Sequence, residues 1–589
     1  MAVALIIALD VTPWVRGGYG WRWPYIPVAF VRVLPLLMIT AVYLLGAFLL
    51  LQRTARTWPV VLWGVFGAFV MALAVAHARE GDAFYALFTR TADGSVTGPH
   101  WAAAQIDWRG GEWRDWTAVM SRLGGHLGTS PPGAVLVHGL FNSLFSSLFG
   151  EVPTISTGLH TSLIAYQCHN PMLLTYTPAQ WASAWAGMLM PLWAGLTALP
   201  LVAVARRLGA PEPRQVAVWW PLVPGILAFA PSWSTLYPLF AVIVFWLLLI
   251  GVDTRKAAWI TAAGLACGLA LFVNFAVLPL LALCGIYVLL RQRHLPRSVI
   301  TGVWFGLGLI VPWLLFWLAS GETPWAILQA SLNYHLDLER PYWFWVGMHV
   351  WDWALFTGIG LALLWLSGAR RHTLNLALLV TVLALTLSGT TRGESGRIWL
   401  FLSPFVVLGA ALIPLKPRQF ALITLSHAAL MLALAANLAV IQSIFTPPPP
   451  PPALAAAEIT PVDAQFSHSE TGAQFRLIGW RAEPINNAVN LTLRWEALTQ
   501  MTAPTWFSAF LVDPGGATTE PVTWQDYPNT CWPLHTPLEQ TIRLPATEGE
   551  WWVSLAAFGD TNAPEGRLQV LTNGQNADIQ VGLGPVFLP

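Results

Sequence analysis

Charged side chains are scarce in this sequence. Asp, Glu, Lys and Arg make up 10% of its 589 residues, whereas soluble domains carry about 25%. The net charge is only +1, so the strongly basic surface that binds nucleic acid is missing. Hydrophobic residues reach 56%, and the mean hydropathy is +0.57. These values exclude a soluble enzyme or a nucleic-acid-binding protein and indicate a chain that lies mostly within a membrane.

Familiar catalytic and metal-binding motifs are also missing. The sequence contains no Walker A, Rossmann, HExxH or GxSxG motif, and its four cysteines lack zinc-ligand spacing. Cys267 and Cys284 lie in apolar runs and are typical of small core residues. Cys168 and Cys531 lie in segments that we place outside the cytoplasm, where they could pair, although we expect both to be unpaired.

Apolar runs dominate the chain. About twelve of them have the roughly 17–25 residues needed to cross a bilayer, and each must be helical because lipid offers the backbone no hydrogen-bond partner. Residues 1–9 are apolar but too short to span, and the arginines and tryptophans of 10–25 favour an interfacial anchor. The predicted spans lie near 32–51, 58–78, 182–205, 215–231, 235–252, 258–274, 275–290, 298–319, 351–368, 373–390, 398–414 and 419–442.

Basic residues mark every second loop between these spans. Short cytoplasmic loops are rich in Lys and Arg, so the marked loops face the cytoplasm. The segments 79–181, 320–350, 391–397 and everything after 443 then face outward. The marked loops contain Arg53, Arg56, Arg206, Arg207, Arg214, Arg255, Lys256, Arg291, Arg293, Arg297, Arg370, Arg371, Lys416 and Arg418.

The composition divides the chain into four parts. Residues 1–57 form a stub and one additional span, and residues 58–445 form the main transmembrane domain with the long outer loop 79–181. The proline run within 446–454 predicts an extended linker. Residues 455–589 contain short β-rich runs separated by turns, which are typical of a β-sandwich. The predicted fold is a polytopic α-helical membrane protein with about twelve spans and an extracytoplasmic β-sandwich.

Two polar clusters lie early in the predicted outward segments. Ionisable residues near the membrane plane are costly, which makes them functional candidates. Glu80 and Asp82 follow the span 58–78, and a carboxylate there could act as a general base; the alternative is that they anchor a helix end. His126 stands before the break Pro131-Pro132-Gly133, where the alternative is a plain turn with a satisfied histidine.

A third cluster lies in the outward loop 320–350. His335, Asp337 and Arg340 precede an aromatic run and could face a substrate. The alternative is a solvated face that leads into an aromatic belt.

The fourth cluster is the most specific of the four. Arg392, Glu394 and Arg397 stand at the predicted outer mouth of a helix pair, where arginines oppose the charge rule for outer loops. Two arginines with one carboxylate suit the recognition of a phosphate at the level of the lipid headgroups. A purely structural ion pair is the alternative.

Some of these stretches follow a known pattern. An acidic residue and an aromatic follow the first core helix as Asp82-Ala83-Phe84-Tyr85, with Glu80 nearby, and the outer loop contains Ser130-Pro131-Pro132-Gly133 four residues after His126. Together with PLVAVARRLG (200–209) and RGESGRIWLF (392–401), they resemble the GT-C class of membrane glycosyltransferases across roughly 58–442. That class includes the protein mannosyltransferase and lipid A aminoarabinose transferase families, in which the two motifs often read Asp-Glu-x-x-Tyr and His-Pro-Pro-Gly.

The resemblance implies a bacterial enzyme of the cytoplasmic membrane. It would move a sugar from a polyprenyl-phosphate donor to a glycan, lipid or protein acceptor on the outer face. Asp82, with Glu80 nearby, would be the catalytic acid or base, and Arg392 and Arg397, with Glu394, would hold the donor phosphate. The substrate loops would contribute His126, His335, Asp337 and Arg340.

Other interpretations stay open. Some families of this class use a divalent metal such as Mg²⁺ or Mn²⁺, and no ligand cluster in the sequence decides this for the present chain. A lipid-linked sugar flippase would explain the helices and outer arginines equally well, although no two similar halves are visible. A non-catalytic membrane scaffold is the third reading. The C-terminal domain could bind glycan or acceptor, or it could only cover the outer loops.

Overall fold

A computed structural model of the chain separates into two compact units. The helical unit comprises Met1–Gly150 and Ala182–Ile444, and the C-terminal unit comprises Glu151–Trp181 and Phe445–Pro589. The structure describes residues 1–149, 176–336, 340–391, 393–441, 454 and 458–588, the last with gaps at 468–471, 473, 500, 502–504, 526, 560–565 and 573–574.

Seven helical segments in the described residues are long and apolar enough to cross a membrane. An eighth is counted if Tyr342–Thr357 and Ile359–Ser367, which are bent by 110°, form one broken span. The prediction of about twelve spans was therefore wrong in number. The seven are Phe30–Arg53, Thr57–Glu80, Ala179–Arg207, Trp233–Thr254, Phe275–Gln292, Leu295–Ser320 and Pro417–Asn437.

Helix length or proline explains why three of the predicted spans are not among these seven. The predicted spans 258–274 and 373–390 are helices of 17 and 16 residues, which at 1.5 Å per residue reach about 25 Å and fall short of a bilayer core of about 30 Å. The run 215–231 breaks at Pro221 and Pro224 into short pieces, because proline cannot donate the backbone hydrogen bond of a helix interior.

Shorter helices fill the rest of the helical unit. Apart from the spans, the described α-helices are Ala2–Ala8, Ala83–Ala92, Pro99–Gln105, Trp116–Leu123, Gly133–Phe149, Gln215–Trp219, Pro224–Ala228, Ala257–Val273, Pro324–Leu336, Tyr342–Thr357, Ile359–Ser367, Thr373–Ser388, Ser395–Ile398 and Ser403–Ala411.

Glycines allow two of these helices to approach closely. A Cβ atom added to Gly264 would overlap the carbonyl oxygen of Phe305, and one added to Gly308 would overlap that of Thr261. The helices Ala257–Val273 and Leu295–Leu309 therefore touch along their backbones. Small residues at such an interface are the usual means of packing helices in lipid, where the hydrophobic effect does not drive association.

A glycine also permits the sharp bend of the broken segment. Gly358 has φ = 110°, which lies in the region that L-residues with a Cβ rarely adopt. The buried ring of His427 packs directly against its α-carbon, so no side chain fits there.

The first residues of the chain pack onto the helical unit. The N-terminal hairpin (residues 13–25) pairs β1 (Gly17–Gly18) with β2 (Trp21–Arg22). The indole of Trp351 donates to the carbonyl of Val15 at 3.0 Å. After the hairpin, the Ile26 N–H donates to the carbonyl of Asn437 at 2.9 Å, so the start of this unit is tied to the end of its last helix.

The C-terminal unit contains two antiparallel sheets around one core. Their strand orders are β11-β10-β3-β4-β5-β8 and β12-β9-β6-β7. Phe475 and Trp495 of the first sheet contact Phe507 of the second, with ring centroids 5.7 and 5.0 Å apart. The strands are β3 Thr460–Ser467, β4 Gln474–Ile485, β5 Ala488–Ala497, β6 Trp506–Val512, β7 Val522–Trp524, β8 Leu538–Pro545, β9 Gly549–Phe558, β10 Gln569–Thr572, β11 Gln575–Asp578 and β12 Val581–Leu588.

The cysteines differ from the prediction in one respect. Cys267 and Cys284 are free and buried, as expected. Cys531 is disulfide-bonded, so the expectation that it is unpaired was wrong. Cys168 lies outside the described residues.

Candidate functional site

Four of the residues singled out in the sequence line one cavity. The cavity has a volume of about 350 Å³ and lies in the helical unit. Although the sequence separates them into three clusters, His126, Arg340, Glu394 and Arg397 all contribute to its wall. Most of the remaining lining is apolar and includes Phe275, Leu328, Ile398 and Trp399.

A tight turn places two of these charged groups. Glu394 has φ = 54°, an uncommon conformation for a residue other than glycine. The short helix Ser395–Ile398 follows, and the N–H groups of Arg397 and Ile398 donate to the Glu394 carbonyl. One turn later, the Arg397 guanidinium forms an ion pair with the Glu394 carboxylate at 2.5 Å. Both side chains are about one-fifth exposed. They are therefore largely shielded from solvent, and both line the cavity.

Arg340 approaches the same turn from another direction. Its guanidinium stacks over the Trp21 ring at 5.1 Å from the centroid, which is a cation–π distance. It also lies so close to Gly393 that any side chain there would meet it. Burial lowers the pKa of Arg340, and the negative charge of Glu394 opposes that change. Arg340, Glu394 and Arg397 therefore form one electrostatic group.

The hydrogen bond of His126 fixes its tautomer. Its Nε2 lies 2.8 Å from the carbonyl oxygen of Ser95, which can only accept, so Nε2 carries the hydrogen and Nδ1 keeps a lone pair in the neutral ring. Burial first, and then the positive charge of Arg397, lower the pKa of His126 below its ordinary value. The charges of Glu394 and Asp93 oppose this shift. A neutral imidazole at neutral pH is suited to accept a proton.

The Pro-Pro turn holds His126 beside the cavity. The Ser130 hydroxyl donates to the His126 carbonyl at 2.7 Å. The Ser331 hydroxyl donates to the carbonyl of Thr129 at 2.9 Å, which ties this turn to the helix Pro324–Leu336. Thus the predicted outward segments 79–181 and 320–350 meet at the cavity.

Asp82 and Glu80 lie elsewhere. Asp82 is exposed and caps the helix Ala83–Ala92, accepting the N–H groups of Phe84 and Tyr85 at 2.8 and 3.1 Å. This is an ordinary helix N-cap. Glu80 forms an ion pair with the buried Arg90 at 2.7 Å. Neither carboxylate lines the cavity, and their predicted catalytic roles stay predictions.

The other predicted site residues fall outside the described part of the chain. These are Asp337, Arg392 and the side chain of His335. Within the described residues, no group of three or more His, Cys, Asp or Glu side chains could hold a metal ion. The use of a divalent metal therefore stays an open expectation.

Comparison with known proteins adds no relative. No protein-family model matches the sequence, and no curated protein matches it.

Sequence reasoning missed the residues that support the arginines. Asp352 is buried, and its two carboxylate oxygens accept from the Trp23 indole at 2.7 Å and from the Gly396 N–H at 2.8 Å. A usable signal exists, because Asp352 is a lone acid within the apolar run Trp351-Asp352-Trp353, and such acids are expensive in a membrane protein.

Proposed function

We propose that this protein is a membrane glycosyltransferase that moves a sugar from a polyprenyl-phosphate donor to an acceptor hydroxyl. One observation carries the proposal: a single cavity of about 350 Å³ gathers His126, Arg340, Glu394 and Arg397 from distant parts of the chain. A proton acceptor and paired guanidinium groups are what transfer from a phosphate-linked sugar needs.

The charge of the cavity suits a donor with one phosphate. Among the described lining residues, Arg340 and Arg397 contribute two positive charges and Glu394 one negative charge, which leaves one net positive charge while His126 is neutral. A sugar phosphodiester of a polyprenol carries one negative charge. Guanidinium groups can bind its oxygens in pairs, and the apolar part of the lining suits the lipid beside the phosphate.

The reaction can be written with these groups. Nδ1 of His126 takes the proton of the acceptor hydroxyl, and the oxygen attacks the anomeric carbon of the sugar. The bond between that carbon and the phosphate oxygen breaks, and its electron pair stays on polyprenyl phosphate. Arg340 and Arg397 stabilise the extra negative charge as it develops. Attack from the side opposite the phosphate would invert the anomeric centre.

The placement of Asp82 is the reason for assigning the base to His126. The resemblance to GT-C enzymes assigns an acid or base to Asp82. However, the helix that Asp82 caps has ten residues, which is about 15 Å at 1.5 Å per residue. The chain first lines the cavity at Val96, beyond the other end of this helix. His126 lies in the cavity wall already.

The orientation and the C-terminal domain complete the proposal. The alternation of basic loops favours the cavity and the C-terminal unit on the outer face of the cytoplasmic membrane. The disulfide at Cys531 supports the same side, because disulfides persist in oxidising compartments. We propose that the two sheets form a β-sandwich that binds glycan or the acceptor, and that the helices form a GT-C-like arrangement.

Turnover of a labelled donor tests the proposal. Purified protein in lipid nanodiscs, given a radiolabelled polyprenyl-phosphate sugar, should release polyprenyl phosphate, slowly to water and faster with a suitable acceptor. Arg397→Gln should reduce this release at least tenfold. Arg207→Gln is the matched control, because Arg207 forms an ion pair with Asp253 at 2.9 Å and does not line the cavity.

Two outcomes would count against the enzyme. Movement of the intact lipid-linked sugar across the bilayer without release of polyprenyl phosphate would indicate a flippase. Equal loss in the two arginine variants, matched by equal loss of thermal stability, would indicate that Arg397 has only a structural role.

A further inference from the structure

A buried carboxylate connects the N-terminal hairpin to the tight turn at residues 393–397, which we call the arginine turn. The indole of Trp23 donates to one oxygen of Asp352 at 2.7 Å, and the Gly396 N–H donates to the other at 2.8 Å. Trp23 and Asp352 are 2% and 5% exposed. Since Gly396 immediately precedes Arg397, Asp352 connects the hairpin to the backbone that carries this guanidinium.

The same hairpin also contacts Arg340, which lines the cavity. The Trp21 ring lies under the Arg340 guanidinium, and a side chain at Gly393 would meet both this guanidinium and the Cβ of Trp21. The rings of Trp21 and Trp23 pack edge to face with centroids 5.3 Å apart. Trp21 therefore contacts Arg340 directly, and Trp23 is connected through Asp352 to the backbone that precedes Arg397.

The turn has little freedom to move around these contacts. Any side chain at Gly396 would overlap the Phe356 ring, and Phe356 itself packs on Trp23 with centroids 5.2 Å apart. An indole that donates to a buried carboxylate makes a charge-assisted hydrogen bond, which is stronger than a neutral one. Removing the donor would leave a buried charge with one partner fewer.

We propose that Trp21 and Trp23 are positioning residues: the N-terminal hairpin holds Arg340 and Arg397 in the geometry that binds an anionic ligand in the cavity. Neither tryptophan lines the cavity, and each acts through an arginine. The inference rests on the proposed function only for the identity of that ligand.

Arginine labelling tests the positioning role without a substrate. The rate of modification by phenylglyoxal can be followed for each arginine by mass spectrometry in Trp23→Phe, which keeps an aromatic ring and loses the indole N–H. Trp351→Phe is the matched control, because the Trp351 indole donates to Val15 in the same hairpin and has no hydrogen bond to the described residues of the turn. Arg207 serves as an internal reference.

The expected result is selective. Trp23→Phe should increase modification of Arg340 and Arg397 several-fold relative to Arg207, and Trp351→Phe should leave that ratio unchanged. In turnover assays, Trp23→Phe should raise KM for the donor about tenfold, equivalent to roughly 1.4 kcal/mol, with a smaller change in kcat. Trp21→Leu provides a second variant, expected to act mainly on Arg340, if Trp23→Phe folds poorly.

Failure of this inference differs from failure of the proposed function. If labelling changes as described but no donor is turned over, the hairpin still positions the arginines and the glycosyltransferase proposal falls. If the donor is turned over while labelling and KM stay at wild-type values in both tryptophan variants, the positioning role is overturned. A uniform rise in labelling of all arginines would also overturn it, because it would show general loosening.

Discussion

At the residue scale, His126 links the chemistry of the cavity to pH. Burial and the charge of Arg397 lower its pKa below the ordinary 6.5, and only the neutral ring can accept a proton. The rate should therefore stay at its plateau as pH falls past 6.5 and decline only when pH passes through the lowered pKa. The pH profile of kcat/KM for donor turnover measures this directly.

The charge of Arg397 provides an internal check on this profile. Arg397→Gln removes a positive charge that lowers the pKa of His126, so the acidic limb should move to higher pH. Arg207→Gln should leave the limb in place. A limb that survives unchanged in His126→Gln would show that another group is the base.

Asp82 allows a second prediction at this scale. As an N-cap it contributes about 1 kcal/mol, and asparagine caps nearly as well. Asp82→Asn should therefore keep both thermal stability and turnover, whereas Asp82→Ala should lower stability by about 1 kcal/mol with turnover retained in the folded fraction. Loss of turnover in Asp82→Asn at unchanged stability would restore the catalytic role that the resemblance implies.

Single residues differ in how far the sequence reveals them. The cost of ionisable groups near a membrane singled out His126, Arg340, Glu394 and Arg397, and the structure places them in one cavity. The sequence could not show that they meet. Nor could it pair Trp23 with Asp352, because the two are 329 residues apart and no local periodicity relates them.

At the element scale, one glycine contact is open to a matched test. A Cβ on Gly264 would overlap the Phe305 carbonyl, whereas a Cβ on Gly302, in the helix that carries Phe305, would meet nothing within 4 Å. Gly264→Ala should destabilise the helical unit by about 1–3 kcal/mol through overpacking. Gly302→Ala should be neutral or stabilising by up to about 1 kcal/mol. Thermal unfolding in detergent compares them.

The reverse order of stability would contradict this packing. Equal destabilisation by both substitutions would show that the glycines act through backbone flexibility rather than through close helix contact.

The helices also show where hydropathy misleads. Apolar runs predicted most helical segments, because burial and lipid contact select the same residues. Hydropathy alone did not give the lengths. The run 215–231 became short pieces at its prolines, and the predicted span 351–368 bends at Gly358, where His427 occupies the space beside the α-carbon. Because His427 belongs to another helix, the residues of the run 351–368 could not predict this contact.

At the scale of the whole molecule, the disulfide at Cys531 makes sidedness measurable. In intact spheroplasts, a membrane-impermeant maleimide should label the peptide that contains Cys531 only after reduction, and without permeabilising the membrane. The buried Cys267 and Cys284 should stay unlabelled until the protein is denatured. Labelling of Cys531 that requires permeabilisation would place the C-terminal unit in the cytoplasm and reverse the proposed orientation.

The hydrogen bond between Ile26 and Asn437 has a consequence for biosynthesis. A ribosome adds roughly 5–20 residues per second, so the partner of Ile26, about 400 residues later, is made some 20–80 s after it. Asp352 is made within that interval, 329 residues after Trp23, and the arginine turn follows Asp352 in the chain, so until then the aromatic hairpin lacks its final contacts on both. The cavity can therefore close only when synthesis of the helical unit is nearly finished, and a chain that stalls earlier would carry no assembled site.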